Sequence, residues 1–300
     1  MQKNLKTYFI IADFANTEGA GAQRYVHGNK TNQARMVHYG CIELPQVKRM
    51  RSAISIVPVH GIGEISLGAD IGALILQALN ANEVTLQPHD IIVITQKIVS
   101  KAEGRIVDPR DVEPSHMAHM AAAQGHKDAH YYEVVLRESK RIIKMDRGVL
   151  ICETHHGFIC ANAGVDESNV DGGRHLTLLP VDSDASSRAI RATLCAATNF
   201  PVAVIISDTF GRAWREGQVN IAIGVAGIDP IESYAGVDDP YGYHMQASIL
   251  AIGDEIAAAA ELVMGKIDRI PVAIVRGMQY RTTEASAQAL IRPANRDLFR

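Results

Sequence analysis

The sequence predicts a mixed α/β fold, of the α/β or α+β class, and three observations carry that expectation. Short apolar runs such as Val202–Ile206 read as strands covered on both faces, as in a parallel sheet. Apolar-striped segments such as Ala69–Ala81 and the Ala-rich Asp254–Met264 read as helices. Strand and helix patterns alternate along the chain, although the order of strands within the sheet is not derivable from them.

The elements follow in chain order. The first fifty residues mix Asn, Gly, Gln and Thr from Asn16 to Gln33 and hold no sustained period of 2 or 3.6. They are expected to form a poorly ordered N-terminal extension or a mis-assigned start, with Met50 as the true start and Tyr8–Ala12 and Met36–Leu44 as candidate short strands. The globular region is then expected over 51–300. Ala53–Val59, with Ile54, Ile56 and Pro58 in alternation, reads as a strand, the Ala69–Ala81 helix follows, and Asp90–Thr95 is a second strand running into Gln96–Arg105. Pro114–Gln124 and Tyr131–Ser139 read as helices, and Val149–Glu153 with Gly157–Ala161 as a hairpin. Ser187–Thr198 is a helix feeding the Val202 strand, and Pro271–Arg276 is a further buried strand.

Composition narrows the function. Three hundred residues suggest one large or two intimately joined domains. A net charge of -3 makes no electrostatic case for nucleic acid or an anionic membrane, which favours small-molecule chemistry. No apolar run approaches the roughly 20 residues of a membrane span, and no signal-type segment opens the chain, so a cytoplasmic location is expected. Cys41, Cys152, Cys160 and Cys195 have no Cys-x-x-Cys spacing and are expected to be free thiols, buried where their surroundings are apolar.

Several polar clusters interrupt the apolar elements. Asp208 and Thr209 stand at the tip of the Val202–Ile206 run, where ligands of such sheets collect, and offer hard oxygens to Mg²⁺ or Mn²⁺ with nucleotide phosphates completing the shell. The alternative is an Asp capping a turn before Gly211. Ala161–Asn169 packs two amides, two carboxylates and a hydroxyl around one glycine, more than a turn requires. Asp166 and Asp208 would then share a cation from two strand ends. Lys97, Lys101 and Arg105 recur every four residues, which on a helix makes either a phosphate-facing edge or a solvated basic face.

Arg212 and Arg215 are candidate bidentate donors, and Trp214, the single Trp, is a neighbour of that site or a packing anchor. The acidic loop Gly236–Gly242 is a ligand loop or a capped turn. Gly61-Ile62-Gly63-Glu64 opens like a dinucleotide fingerprint, yet Ser66 holds the third glycine position and the later acidic residue is missing. His116, His119, His126 and His130 have zinc-like spacings without Cys or a His-Glu-x-x-His pattern, so exposed histidines are expected. No P-loop, Gly-x-Ser-x-Gly elbow or kinase signature is present; a nucleotide would be bound without a P-loop.

Four motifs taken in order, Gln96 to Arg105, Ala161 to Asn169, Ser207 to Arg215 and Ile221 to Gly227, resemble the gamma-glutamyl ligases of coenzyme F420. The resemblance runs from about Ile54 to the C-terminus, and the closing Leu290–Arg300 run is similar to the linker that leads into a flavin-binding nitroreductase-like module in two-module actinobacterial relatives. It therefore implies a stand-alone ligase of the archaeal kind. It implies two joined α/β domains, an intertwined homodimer with the nucleotide in a groove near the interface, and GTP-dependent joining of L-glutamate to the lactyl carboxylate of F420-0 through an acyl phosphate, with further gamma-linked glutamates. Carried over by position, one ion falls on Asp166 and Asp208, a second on Thr209, and GTP contacts fall on Ile62, Gly63, Glu64, Ile65, Gln96, Lys101 and Asn169. The Met264–Asp268 turn is placed near the guanine nucleotide, and K⁺ is a further implied ion. Two positions depart from the pattern: Gly63 stands where Pro is common, and Tyr243-His244 follow Gly242 where Arg is usual, which puts substrate affinity or chain length in doubt. The rival readings are an amide ligase for another carboxylate, a non-catalytic GTP-binding regulator and a Rossmann oxidoreductase.

Overall fold

A computed structural model describes residues 53–168 and 171–297. The expected N-terminal extension, with its two candidate strands and Cys41, lies outside the described residues, as does Asn169. In chain order the first half holds β1 (Ser55–Val59), α1 (Ile71–Ala81), β2 (Ile91–Thr95), α2 (Gln96–Ala102), β3 (Ile106–Val107), α3 (His116–Gln124) and α4 (Ala129–Arg137). Next come β4 (Ser139–Asp146), β5 (Val149–Thr154), β6 (Ile159–Ala161), β7 (Leu176–Thr177), α5 (Ser183–Thr198) and β8 (Ala203–Arg212). The chain then forms β9 (Arg215–Ala226), β10 (Glu232–Ser233), β11 (Ile249–Leu250), α6 (Ile252–Met264) and β12 (Val272–Arg276).

Five strands make the main sheet in the order β1-β12-β2-β8-β9. Only β2 and β8 run parallel, so the expected parallel sheet is corrected to a mixed one. The unbroken apolar runs have another cause. Strands β12, β2 and β8 occupy the middle of the sheet, and their successive side chains enter opposite cores. Ile92, Ile94, Val204, Ile206, Val272 and Ile274 meet α1 and α5 on one face; Ile91, Val93, Ala203, Ile205, Ala273 and Val275 meet α6 on the other. Pro58 is accommodated because β1 is an edge strand, where a missing N–H costs no ladder bond.

Helix starts follow their caps. Asp70, Ser115, Asp128 and Asp182 accept from the third following amide at the heads of α1, α3, α4 and α5. The Asp182 cap starts α5 four residues before the expected Ser187. A third core, with Ala118, Tyr132, Val135, Leu150, Cys152 and Leu176, lies where α3 and α4 cover the three-stranded sheet β4-β5-β6. The β5/β6 hairpin is as expected, whereas β4 is not, because the Tyr131 helix stops at Arg137 and the chain turns extended at Ser139. Residues 51–300 group as one unit carrying all three cores. Cys152 and Cys160 are buried and Cys195 half-buried, all as free thiols. Among the described residues no helix is long and apolar enough to cross a membrane.

Gly224 shows how close the layers come. A Cβ there would lie 2.4 Å from the Ser183 carbonyl oxygen at the head of α5. The adjacent Val225 amide donates to Asp184 Oδ1 at 2.8 Å, which fixes the crossing. Gly224→Ala is therefore expected to cost about 1–3 kcal/mol by overpacking, read as a lowered urea midpoint at unchanged m-value; a wild-type midpoint would show that the crossing yields freely.

Candidate active site

The site is built at the end of the one parallel pair. Thr95, the last residue of β2, pairs with Ser207, and α2 begins at the next residue, Gln96. On β8 the next residue is Asp208. The expectation that the β8 run stops at Asp208 and Thr209 is corrected, since β8 continues to Arg212 and returns as β9, with Asp208 opposite Ile221 and Thr209 opposite Asn220. What ends at Ser207 is the parallel pairing, and a register shift between Ile206 and Ser207 marks the change. Asp208 thus lies just past the end of the parallel β2/β8 pair, the position to which the strand-end rule points.

Asp166 arrives from the other side. After β6 three residues adopt left-handed backbone, Asn162 (φ 50°), Ala163 (φ 54°) and Gly164 (φ 73°), which swings the chain towards the sheet. Gly164 is required there, because a Cβ would also press within 2.9 Å of Leu179. Paired backbone bonds with Thr177, at 3.0 and 2.8 Å, then pin Asp166. Its carboxylate accepts from the Ser168 amide at 2.7 Å and hydroxyl at 3.1 Å and pairs with Lys97 Nζ at 2.7 Å. Desolvation pushes the Asp166 carboxyl up, but the Lys97 hydrogen bond and charge with the Ser168 donors outweigh it and hold it below the usual carboxylate range.

Asp208 behaves oppositely. Desolvation raises its carboxyl to about 6, opposed by the Thr209 amide, reinforced by the charge of Asp166, and eased by Lys97 and Lys266. The two carboxylates are thus close enough to act on each other. Among the described residues no cation lies within ion-pair distance of Asp208. Thr209 Oγ1 donates to Asn220 Oδ1 at 2.6 Å and accepts from Lys266 Nζ, which also pairs with Glu261 at 2.9 Å.

Helix α2 links this cluster to the glycine loop. Lys97 reaches Asp166, and one turn later Lys101 Nζ pairs with Glu64 at 2.9 Å, its hydrogen bond and charge holding Glu64 below the usual range. Gly61 to Ile65 and the Leu74–Ala81 face of α1 line a pocket of about 260 Å³. Gln96 is 1% exposed; its Oε1 accepts from Ser100 Oγ at 2.6 Å, and its Nε2 is a buried donor with no partner among the described residues. The Rossmann alternative fails on topology, since β1 pairs antiparallel with β12 and is not a neighbour of β2.

The family model described as F420-0:gamma-glutamyl ligase matches residues 61–277, which contain every group just described. The chain belongs to the F420-0:gamma-glutamyl ligase family. It is 45% identical over 250 residues to the coenzyme F420:L-glutamate ligase of Methanothermobacter thermautotrophicus, covering 82% of this chain and 99% of that protein. The ligases of the same name from Methanopyrus kandleri and Methanocaldococcus jannaschii are similar at 38% and 41% identity, over 82% and 72% of this chain and 98% and 86% of theirs.

In this gamma-glutamyl ligase family member the expected residues separate into two groups. Asp166, Asp208 and Thr209 form one cluster, Ile62 to Ile65 with Lys101 form another, and α2 joins them. The expected three-cation face is corrected to two, because α2 ends at Ala102 and Arg105 instead pairs with Glu138 at 2.6 Å and donates to Leu179 O at 2.9 Å. Trp214 is 81% exposed at the β8/β9 turn beside Arg212 and Arg215, which removes the packing-anchor reading. Asp239 caps its own loop by accepting from the Tyr241 and Tyr243 amides at 2.8 Å, in line with the capped-turn alternative. His116, His119 and His126 are exposed, and the His130 ring bonds Val112 O at 2.9 Å. Among the described residues no three His, Cys, Asp or Glu side chains gather to hold an ion, so the hard-oxygen set is two carboxylates with the hydroxyls of Thr209 and Ser168. Asn220 escaped the sequence reading, although its signal was there: it is a buried polar residue in the apolar run Val219–Val225.

Proposed function

We propose that this chain joins L-glutamate to the carboxylate of coenzyme F420-0 at the expense of GTP, through an acyl phosphate, and then adds further glutamates through gamma linkages. The observation that carries the reading is the Asp166–Lys97–Asp208 cluster at the end of the parallel pair, inside the region matched by the ligase family. A carboxylate is a poor acyl donor until one oxygen leaves as phosphate. The acceptor's carboxylate oxygen would attack the gamma-phosphorus of GTP and release GDP. The glutamate amine would then attack the acyl carbon, phosphate leaving with the C–O bond electrons and the amine losing its proton.

The chain's own residues suit those demands by position and charge. Lys97, Lys101 and Lys266 bring three cations to the cluster and its flanking loop, where phosphate charge would gather. Gln96 Nε2, buried and without a partner among the described residues, and the backbone of Ile62, Gly63, Glu64 and Ile65 would meet GTP, with Lys101 beside them. The donor set also fits divalent ions: Asp208 is a desolvated carboxylate with no paired cation among the described residues, and Asp166 and Thr209 add hard oxygens. Asp166 and Asp208 would hold one Mg²⁺ or Mn²⁺ and Thr209 a second; such ions supply neutralisation of the phosphates.

We further place the enzyme in the cytoplasm as a homodimer. The exposed Tyr241, Tyr243 and Ile249, 94, 65 and 57% accessible, support a covered surface along 232–250.

Incubation of the purified protein with F420-0, GTP, Mn²⁺ and L-glutamate is expected to yield products heavier by whole glutamyl units, with stoichiometric GDP, by mass spectrometry. Neither product appearing would overturn the reading; amide formation only with a different carboxylic acid would reassign the substrate.

A further inference from the structure

Asn220 is 4% exposed within the otherwise apolar run Val219–Val225, and neither nucleotide nor ion has been assigned to it. A buried amide is costly unless hydrogen-bonded, so its partner identifies its use. It stands directly opposite Thr209 in the β8/β9 ladder, and directly opposed residues project from the same face of a sheet. Asn220 Oδ1 accepts from Thr209 Oγ1 at 2.6 Å.

The remaining capacity of Thr209 follows from counting. A hydroxyl has one hydrogen and two lone pairs. Lys266 Nζ can only donate, so it occupies one lone pair, and Glu261 holds that ammonium at 2.9 Å. The hydrogen is committed to Asn220. One lone pair is left for a third partner, which must bring positive charge or a hydrogen of its own. Were the Asn220 amide turned to present Nδ2, the amide and Lys266 would fill both lone pairs, and the hydroxyl hydrogen would face any incoming cation. An apolar residue at 220 would likewise leave the hydroxyl free to rotate.

We propose that Asn220 is a positioning residue: by accepting the Thr209 hydroxyl hydrogen, it keeps a Thr209 lone pair available to a divalent ion. The inference rests on the ion reading of Thr209 given above and adds the residue that makes a neutral hydroxyl a dependable ligand. An acceptor suits that task, because drawing the O–H towards Oδ1 raises the basicity of the ligating oxygen. Both residues are interior to paired strands, with Phe210 opposite Val219 and Asp208 opposite Ile221 on either side, so the ladder itself fixes their spacing.

Mn²⁺ titration of the full chain at fixed GDP, with free ion read by electron paramagnetic resonance, tests the proposal as a double-mutant cycle. Asn220→Leu keeps the branched shape without polar atoms, and Thr209→Val keeps the shape without the hydroxyl. Each is expected to weaken Mn²⁺ binding by about tenfold or more. The double variant is expected to bind no more weakly than Thr209→Val alone, and Asn220→Asp, an acceptor when ionised, to retain at least wild-type affinity. A purely structural Asn220 would show a lowered urea midpoint in Asn220→Leu with Mn²⁺ affinity unchanged, and that result would overturn the proposal. Additive losses in the double variant, or Asn220→Asp binding as weakly as Asn220→Leu, would do the same. The two readings fail separately. Weakened binding in Thr209→Val with wild-type affinity in Asn220→Leu removes the role of Asn220 and keeps the ion at Thr209, whereas wild-type affinity in both variants removes the ion from Thr209 and the proposal with it.

Discussion

Asp208→Ala is expected to lower kcat by roughly 10³-fold or more, the loss typical of removing a preorganised electrostatic group from a phosphoryl-transfer site, while the protein stays folded. Burial and the charge of Asp166 make Asp208 costly to ionise, and nothing described pairs with it, so the carboxylate contributes nothing to the stability of the metal-free chain. The sign follows from its raised pKa. Below about pH 4, Asp208 is neutral in both the folded and the unfolded chain and has no effect. As pH rises towards and past about 6, the unfolded chain ionises it freely and the folded chain does so at a cost, so stability is lost. The isosteric Asp208→Asn variant should therefore match the wild type in urea midpoint at low pH and equal or exceed it above pH 6 when divalent ions are chelated. Wild-type turnover in Asp208→Ala would remove Asp208 from the site, and a strongly lowered midpoint in Asp208→Asn would make it a structural residue.

The sequence and the structure agree best where one local signal settles the matter. The helices α1, α5 and α6 and the apolar strands β2, β8 and β12 were readable because each is long or strongly apolar. Parallelism was not, since burial on both faces belongs to any central strand, and only pairing partners separate β12 and β2 from a parallel arrangement. Strand β4 was missed because Ser139–Asp146 is partly exposed along most of its length and carries no clean alternation. At the site, the separate clusters around Asp166, Asp208 and the glycine loop were legible as dense polar sets after apolar runs. Their connection was not. Lys97 belongs to Asp166 and Lys101 to Glu64 only because a helix begins immediately at the end of β2, and Lys266 meets Thr209 across 57 residues of intervening chain. Such contacts are properties of topology, which no local pattern carries.

Arg276→Ala is expected to show the reverse signature, a loss of about 3–5 kcal/mol in stability with little change in activity per folded molecule. Arg276 ends β12 and clamps Asp90 with two bonds, Nε to Oδ1 at 2.9 Å and Nη2 to Oδ2 at 2.7 Å, and also donates to Thr85 O at 2.8 Å. Asp90 is 1% exposed and, among the described residues, its carboxylate otherwise accepts only the Gln87 amide at 2.8 Å, so deleting the guanidinium strands a buried charge. The pair stands at the entry of β2, whereas Gln96 and Lys97 stand past its exit, roughly 17 Å away for five extended residues. A urea midpoint shift checks the stability, and turnover measured well below the melting temperature checks the activity. A loss under about 1 kcal/mol would class the pair with exposed ion pairs, whose contribution is small. Replacing both partners by apolar residues should recover most of the loss, because the cost lies in the unpaired carboxylate rather than in the missing attraction. If Arg276→Ala instead lowered kcat as steeply as Asp208→Ala, β2 would be transmitting the position of Asp90, the residue before it, to α2, and the site could no longer be treated as held by the strand end alone.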